Sequence, residues 1–159
     1  MATENNFFIA TEHTEDTEII HFGFQIEDLT ISDLRLMIVD FKTRIWGVHV
    51  QLQQALMNLI LNDREAMLPR GGVLTIRAEQ RTDDIMIRVR DTGCGIAQAD
   101  IKKVFDSFFS TKDKNNSPRS GTGLGLALCK KVIDAHNGSI TIDSQPGKGT
   151  TFTITLPKK

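Results

Sequence analysis

The spacing of hydrophobic residues changes abruptly in the middle of the chain, and this change constrains the fold most strongly. Between residues 49 and 67, apolar residues recur at intervals of three and four, which predicts an amphipathic helix. A proline and two glycines within residues 69–72 end it. Residues 73–80 and 84–91 then alternate between apolar and polar, which predicts an antiparallel pair of strands. The helix must bury its apolar stripe against the apolar face of a sheet.

The rest of the chain continues this mixture of helices and strands. The further predicted segments are strands at Leu34–Phe41 and Arg44–Val48, a short helix at 98–104, a polar loop at 110–120, a helix at Leu124–Asn137, and strands at Ile140–Ser144 and Thr151–Leu156. We therefore predict an α+β fold, in which a largely antiparallel sheet packs against helices.

Composition excludes several classes of protein. The chain has 159 residues, of which 40% are hydrophobic and 25% charged, which suits one globular domain. A net charge of -1 supplies no field that would attract nucleic acid or an acidic membrane. No apolar run approaches the ~18 residues of a membrane span, and no signal peptide is evident. Cys94 and Cys129 lack metal-site spacing and are expected to be reduced thiols of a cytoplasmic protein.

The first 33 residues are acidic and weakly patterned. Their short apolar pieces, Phe7–Ile9 and Ile19-Ile20, are compatible with edge strands or docking points, and equally with a loosely attached arm. We predict a division into an acidic extension at 1–33 and a folded domain at 34–159.

Two amides lie on one face of the long predicted helix. Asn58 and Asn62 are four residues apart, at the edge of its apolar arc. Asparagine is a poor helix former, and an amide oxygen is a hard ligand that suits Mg²⁺. The alternative is a pair of amides that face water.

An acid and two glycines follow the second strand of the predicted pair, in the stretch DTGCGI at residues 91–96. Asp91 could accept a hydrogen bond from an amino group of a ligand, while Gly93 and Gly95 would let a flat base approach. The alternative is an ordinary turn that begins with aspartate.

A glycine cluster opens the last predicted helix. Gly121, Gly123 and Gly125 lie where exposed backbone N–H groups could bind phosphate. The preceding loop supplies cations at Lys112, Lys114 and Arg119. The alternatives are a flexible hinge and a solvated charge run.

In this order the motifs resemble those of the catalytic, ATP-binding domain of sensor histidine kinases, in the GHKL superfamily with DNA gyrase and MutL. The resemblance covers about residue 34 to the end. The boxes are Asn58–Asn62, Asp91–Gly95, Phe105–Lys112, Gly121–Gly125 and the closing SQPGKGTTF at 144–152.

The resemblance implies a Bergerat fold, a two-layer sandwich of a mixed, mostly antiparallel sheet on about three helices, with ATP and Mg²⁺ as ligands. Asp91 would bind the exocyclic amine of adenine, Asn62 would hold Mg²⁺, and Asn58 would lie near the phosphates, so that both amides serve catalysis. The nucleotide-binding positions it implies are Asn58, Asn62, Asp91, Gly93, Gly95, Ile96, Phe105, Lys112, Gly121, Thr122, Gly123, Leu124 and Gly125.

The resemblance also separates a kinase from an ATPase. In the ATPases of the superfamily, a glutamate four residues before the Mg²⁺ asparagine activates water. Here that position is Asn58, and an amide cannot act as a general base. We therefore expect phosphoryl transfer to a histidine. An ATPase, an anti-sigma-type serine kinase and a non-catalytic nucleotide-binding module remain the alternatives.

The four histidines of the chain lack the family's acceptor context. The phosphoacceptor domain is therefore expected elsewhere, in a longer parent or in another protein, and the isolated chain is not expected to phosphorylate itself. A response regulator would act downstream.

One residue departs from the family pattern beside the predicted metal ligand. Asp63 follows Asn62 where the family usually has alanine. A carboxylate there would be desolvated at a cost, lie close to Mg²⁺ and phosphate, or point to water.

Overall fold

A computed structural model of the chain describes residues 8–14, 17–25, 50–110 and 122–158, and only the backbone of those before residue 50. The elements are strands β1 (Phe8–Thr14) and β2 (Thr17–Gln25), helix α1 (Val50–Met67), strands β3 (Val73–Gln80) and β4 (Asp84–Arg90), helix α2 (Gly125–Ala135), and strands β5 (Ser139–Gln145) and β6 (Gly149–Pro157). No helix among these residues is both long and apolar enough to cross a membrane.

The six strands form one sheet in the order β1-β2-β3-β4-β6-β5. Every neighbouring pair is antiparallel. In its centre Val89 of β4 lies between Ile76 of β3 and Phe152 of β6. The predicted α+β sandwich is confirmed, with two helices among the described residues.

One face of the sheet is covered by the two helices. Alternate strand residues point toward them, as the period-two pattern of β3 and β4 predicts. Leu59, Ile60 and Ile133 meet Leu74 and Phe152 there, all at most 1% exposed. The amphipathic stripe of α1 therefore lies in the core.

The predicted short helix at 98–104 is wrong, because the segment folds as consecutive turns. Asp100, Lys103 and Asp106 each donate a backbone N–H to the carbonyl three residues earlier. Val104 alone forms a bond of α-helical spacing, to Asp100. So short an apolar segment cannot offset the cost of nucleating a helix.

The N-terminal strands extend the sheet beyond β3. The backbone of β2 pairs with β3 from Glu18 opposite Gln80 to Gln25 opposite Val73, and β1 forms the edge. The sequence was compatible with edge strands, docking points or a loosely attached arm in this region, and the structure has strands there. The predicted boundary at residue 33 and the strands at 34–41 and 44–48 lie outside the described residues.

Candidate functional site

The Asp91 carboxylate is fixed at the end of β4 by backbone groups from two directions. Its Oδ1 accepts the N–H of Gly93 at 2.6 Å, and its Oδ2 accepts the N–H of Thr150 at 3.1 Å. The Gly93 bond is the side-chain turn typical of aspartate. The turn that the sequence left open as an alternative is therefore present, and it holds a carboxylate that is almost completely buried.

Burial makes this carboxyl unusual. Asp91 is 1% exposed, and desolvation raises the pKa of its side chain, although the N–H groups of Gly93 and Thr150 oppose the shift. Two carboxylate oxygens offer about four acceptor positions. The N–H groups of Gly93 and Thr150, together with the Thr150 hydroxyl, leave capacity for one more donor, such as an amine.

The two glycines after Asp91 face protein backbone. A Cβ on Gly93 would lie 2.6 Å from the carbonyl oxygen of Ala66, and Gly95, at φ +69°, would place one against the carbonyl oxygen of Gln145. Close packing against α1 and the β5–β6 turn thus explains both residues. The sequence reading expected these glycines to make room for a flat base, whereas their Cβ positions point toward the protein.

The closing motif braces the same segment. The N–H of Ile96 donates to the Ser144 hydroxyl oxygen at 2.8 Å, and that hydroxyl donates to the carbonyl of Gly149 at 3.0 Å. Ser144 and Thr150 are both nearly inaccessible, and their hydroxyl oxygens are 3.0 Å apart. The sequence reading noted this motif but missed these two residues as supports. The sequence signal that could have identified Ser144 and Thr150 is a hydroxyl-bearing residue at the end of β5 and at the start of β6.

The two predicted amides lie on α1 beside the start of α2. Asn58 and Asn62 are half-buried, and a Cβ on Gly125 would lie 3.9 Å from the Cβ of Asn58. No side chain caps the N-terminus of α2 at Leu124. Unbonded N–H groups at a helix N-terminus favour an anion, and the start of α2 presents such groups beside Asn58.

A backbone hydrogen bond joins residues on either side of the predicted polar loop at 110–120. Phe108 donates its N–H to the carbonyl of Gly123 at 2.9 Å, and both residues have positive φ, near +68°. A Cβ on Gly123 would come within 2.8 Å of the backbone of Phe108 and Phe109. The glycine is therefore required where the chain leaves the loop and enters α2.

The remaining predicted site residues are distributed as follows. Ile96 joins the site through its backbone, whereas Phe105 packs against the core. Thr122 and Leu124 are exposed. Lys112, Lys114, Arg119 and Gly121 lie outside the described residues.

Asp63 is completely buried under this site. Its exposure is 0%, and neither carboxylate oxygen has a hydrogen-bond partner among the described residues. Burial raises the pKa of Asp63 well above its ordinary value, the charge of Asp91 raises it further, and the nearby Asn62 amide opposes the shift. The sequence allowed the Asp63 carboxylate to be desolvated, to lie close to Mg²⁺ and phosphate, or to point to water. In the structure it is desolvated.

Cys129 of α2 shares this buried environment. Burial, and then the proximity of Asp63, raise the pKa of its thiol to about 12. The thiol is therefore an uncharged packing group, and it offers Asp63 no compensating positive charge.

Comparisons with known proteins identify the family of the chain. A profile of the "Histidine kinase-, DNA gyrase B-, and HSP90-like ATPase" family matches residues 47–159. Sensor protein SrrB of Staphylococcus aureus is 39% identical over 118 residues, 74% of this chain and 20% of SrrB. Sporulation kinase C of Bacillus subtilis is 41% identical over 113 residues, 71% of this chain and 25% of that kinase. The chain thus spans a quarter or less of these relatives.

Solved structures show the same fold. The catalytic domain of histidine kinase ThkA superposes with a TM-score of 0.61 at 26% identity, covering 82% of this chain and 93% of that domain. Full-length ShkA in complex with AMPPNP gives 0.57 at 27% identity, covering 67% of this chain and 21% of ShkA. The chain therefore belongs to the histidine kinase-, DNA gyrase B- and HSP90-like ATPase family, with the fold of a sensor histidine kinase catalytic domain.

Proposed function

We propose that this chain binds ATP with Mg²⁺ and transfers the γ-phosphoryl group to a histidine on a separate phosphoacceptor domain. The observation that carries the proposal is the Asp91 carboxylate, which is nearly inaccessible and held by two backbone N–H groups yet retains acceptor capacity. A buried acceptor of this kind is stabilised by a ligand that brings a donor.

Adenine supplies such a donor in its exocyclic amine. The carboxylate would accept that N–H, whereas guanine presents an acceptor oxygen at the same position of its ring and would be repelled. Gly93 and Gly95 pack their Cβ positions against Ala66 and Gln145, which fixes the backbone that follows the carboxylate. ShkA, a structural neighbour, was solved with the ATP analogue AMPPNP, which supports the assignment.

The residues near α2 suit a triphosphate with its metal. Mg²⁺ in nucleotide sites is held by one or two protein oxygens together with phosphates and water. The half-buried amide of Asn62 can supply one such oxygen, with Asn58 beside it and the uncapped start of α2 opposite. When bound, Mg²⁺ would neutralise charge on the phosphates, while α2 orients them through its N–H groups.

Transfer is favoured over hydrolysis by the side chain at position 58. Asn58 borders the N-terminus of α2, where a carboxylate would be required to activate water. An amide at that point can position a phosphate oxygen but cannot remove a proton. An imidazole acceptor carries its own nucleophilic nitrogen, so the reaction requires positioning and charge neutralisation from this chain.

A transfer experiment tests the proposal. The chain would be incubated with Mg²⁺ and γ-labelled ATP, together with a separately purified phosphoacceptor domain of a sensor histidine kinase. We expect label on the acceptor domain that is lost in acid and retained in base, and no label when its histidine is replaced by glutamine. Steady release of inorganic phosphate without labelled acceptor would instead indicate an ATPase, and acid-stable label a serine kinase.

The cellular setting of the proposal follows the relatives. We propose that the domain works in the cytoplasm, where an exposed thiol such as Cys94 remains reduced, and that a response regulator receives the phosphoryl group. The kinship with a sensor protein and a sporulation kinase supports this setting.

A further inference from the structure

Three arginines lie together on the face of the sheet opposite the helices. Arg88 and Arg90 are two residues apart on β4, and Arg77 of β3 is directly opposite Arg88. Their neighbours in sequence, such as Ile76, Ile87 and Val89, are buried on the helix side. Because side chains alternate along a strand, the three guanidinium groups emerge on the face opposite the two helices, which no described helix covers. We call them the arginine face.

None of the three guanidinium groups forms a hydrogen bond or a close ion pair with the side chains that the structure describes. The close ion pair of the Glu79 carboxylate is with Arg81, at 2.8 Å, and it lowers the pKa of Glu79. Arg88 and Arg77 are close enough to lower that pKa further. Asp143 of β5 is two strands from Arg90, with Thr151 between them. The Nε of Arg77 is buried without any acceptor. Like charges directly opposite each other destabilise a pair of strands, so the fold does not account for this arrangement.

Hydroxyl groups complete the surface. Thr153 lies opposite Arg88, and Thr151 and Thr75 lie opposite Arg90 on either side, all half-buried. Guanidinium groups bind carboxylates through paired N–H donors, and threonine hydroxyls add further donors. The surface therefore presents donors and positive charge without a matching acceptor.

We propose that the arginine face is a docking surface for an extended acidic segment of a partner protein. The spacing selects the occupant: Arg88 and Arg90 are about 6.6 Å apart along the strand, which equals the separation of alternate residues in another extended chain. Acidic residues at every second position would meet both arginines, and Arg77 would lie beside the first. This surface is on the opposite side of the sheet from the helices that border the proposed nucleotide site.

Binding of two synthetic peptides tests the proposal. One twelve-residue peptide alternates threonine and glutamate, and the other has the same composition with the glutamates in one block. Fluorescence anisotropy with the full chain should show tighter binding of the alternating peptide, weakening as salt increases. The double variant Arg77→Thr and Arg88→Thr should bind it at least about tenfold more weakly, whereas the exposed control Arg70→Thr should bind like the wild type.

Thermal unfolding separates docking from a structural role. Removal of the opposed charges should leave the melting temperature unchanged or raise it by about 1–4 °C. A lower melting temperature, equal binding by the double variant, or equal loss in Arg70→Thr would overturn the proposal. A short DNA duplex that displaces the peptide at a lower concentration than unlabelled peptide does would overturn the choice of an acidic protein. Self-association of the chain that is abolished in the double variant would overturn it as well.

Discussion

Asp91 and Thr150 bind each other through two hydrogen bonds, although 59 residues separate them in the chain. The N–H of Asp91 donates to the carbonyl of Thr150 at 2.9 Å, and the N–H of Thr150 donates to the Asp91 carboxylate at 3.1 Å. The first bond continues the β4–β6 ladder by one residue, and the second orients the carboxylate. The sheet itself therefore aims the acid that we assign to adenine.

The hydrogen bonds of Ser144 near Asp91 should be necessary both for the stability of the domain and for ATP binding. Ser144→Ala removes the acceptor of the Ile96 N–H and leaves that group without its partner, which should cost about 1–3 kcal/mol. Urea denaturation should show a lower midpoint, and ATP affinity should fall because the segment after Asp91 is less fixed. Ser139→Ala, at an exposed position on the same strand, is the control. Equal effects of the two changes would contradict this role for Ser144.

The junction between Phe108 and Gly123 should require glycine at position 123. Gly123→Ala combines the cost of a left-handed backbone, about 1–2 kcal/mol, with overlap against the backbone of Phe108. Gly147→Ala is a matched control, because Gly147 also has positive φ but has open space around its Cβ position. We expect Gly123→Ala to lose at least about 1 kcal/mol more than the control in chemical denaturation. Equal losses would show that the overlap relaxes freely.

Asp63 should destabilise the domain at neutral pH. Its raised pKa in the folded state means that the unfolded chain releases this proton first as pH rises above about 4. Asp63→Ala should therefore increase the free energy of unfolding at pH 7 by about 1–3 kcal/mol. The advantage over the wild type should shrink as pH is lowered through about 4 and be lost near about 3, where the carboxyl is neutral in the unfolded chain as well.

Asp63→Asn keeps the size of this side chain and removes its charge, so it serves as the control for the charge term. It should follow the pH dependence of Asp63→Ala with a smaller gain, because an unpaired amide also costs free energy when buried. A difference between wild type and Asp63→Ala that is constant from pH 4 to pH 7 would show that the carboxyl is ionised in the folded protein.

Asn62 should account for the metal dependence of nucleotide binding. Asn62→Ala removes an amide oxygen from the polar edge of α1. It should reduce the gain in ATP affinity on adding Mg²⁺ by about 10–100-fold, which is the typical contribution of one bond to a charged group. Binding without Mg²⁺ should change little. Gln54→Ala, exposed on the same helix, should leave both affinities unchanged. An unaltered Mg²⁺ effect in Asn62→Ala would place the metal elsewhere.

Much of the fold could be predicted because its signals are local. Helix α1 and strands β3 and β4 have clear 3.6- and two-residue periods, and their bounds agree with the prediction to about one residue. The segment at 98–104 has too few apolar residues to distinguish a helix from consecutive turns. Strands β1 and β2 were left open because polar residues interrupt their alternation.

The supports of the site could not be predicted because they depend on distant pairing. Asp91 was identified from its place after a strand, but its bond to Thr150 exists only because β4 and β6 are neighbours. Likewise, the burial of Asp63 depends on α2 packing over α1, which a helical period cannot reveal. The order of the motifs was enough to identify the family. The contacts of each residue could be found only from the pairing of strands in the sheet.

Calorimetric titration with ATP and Mg²⁺ tests the central claim most directly, comparing the wild-type chain with Asp91→Asn. The amide keeps the shape of the side chain but loses the charge and half of the acceptor capacity that would bind the adenine amine. We predict that the wild type binds ATP, more tightly with Mg²⁺ than without it, and that Asp91→Asn binds at least about tenfold more weakly while remaining folded. Equal affinity of the two proteins, or no binding by the wild type at millimolar ATP, would contradict the assignment of this pocket to adenine.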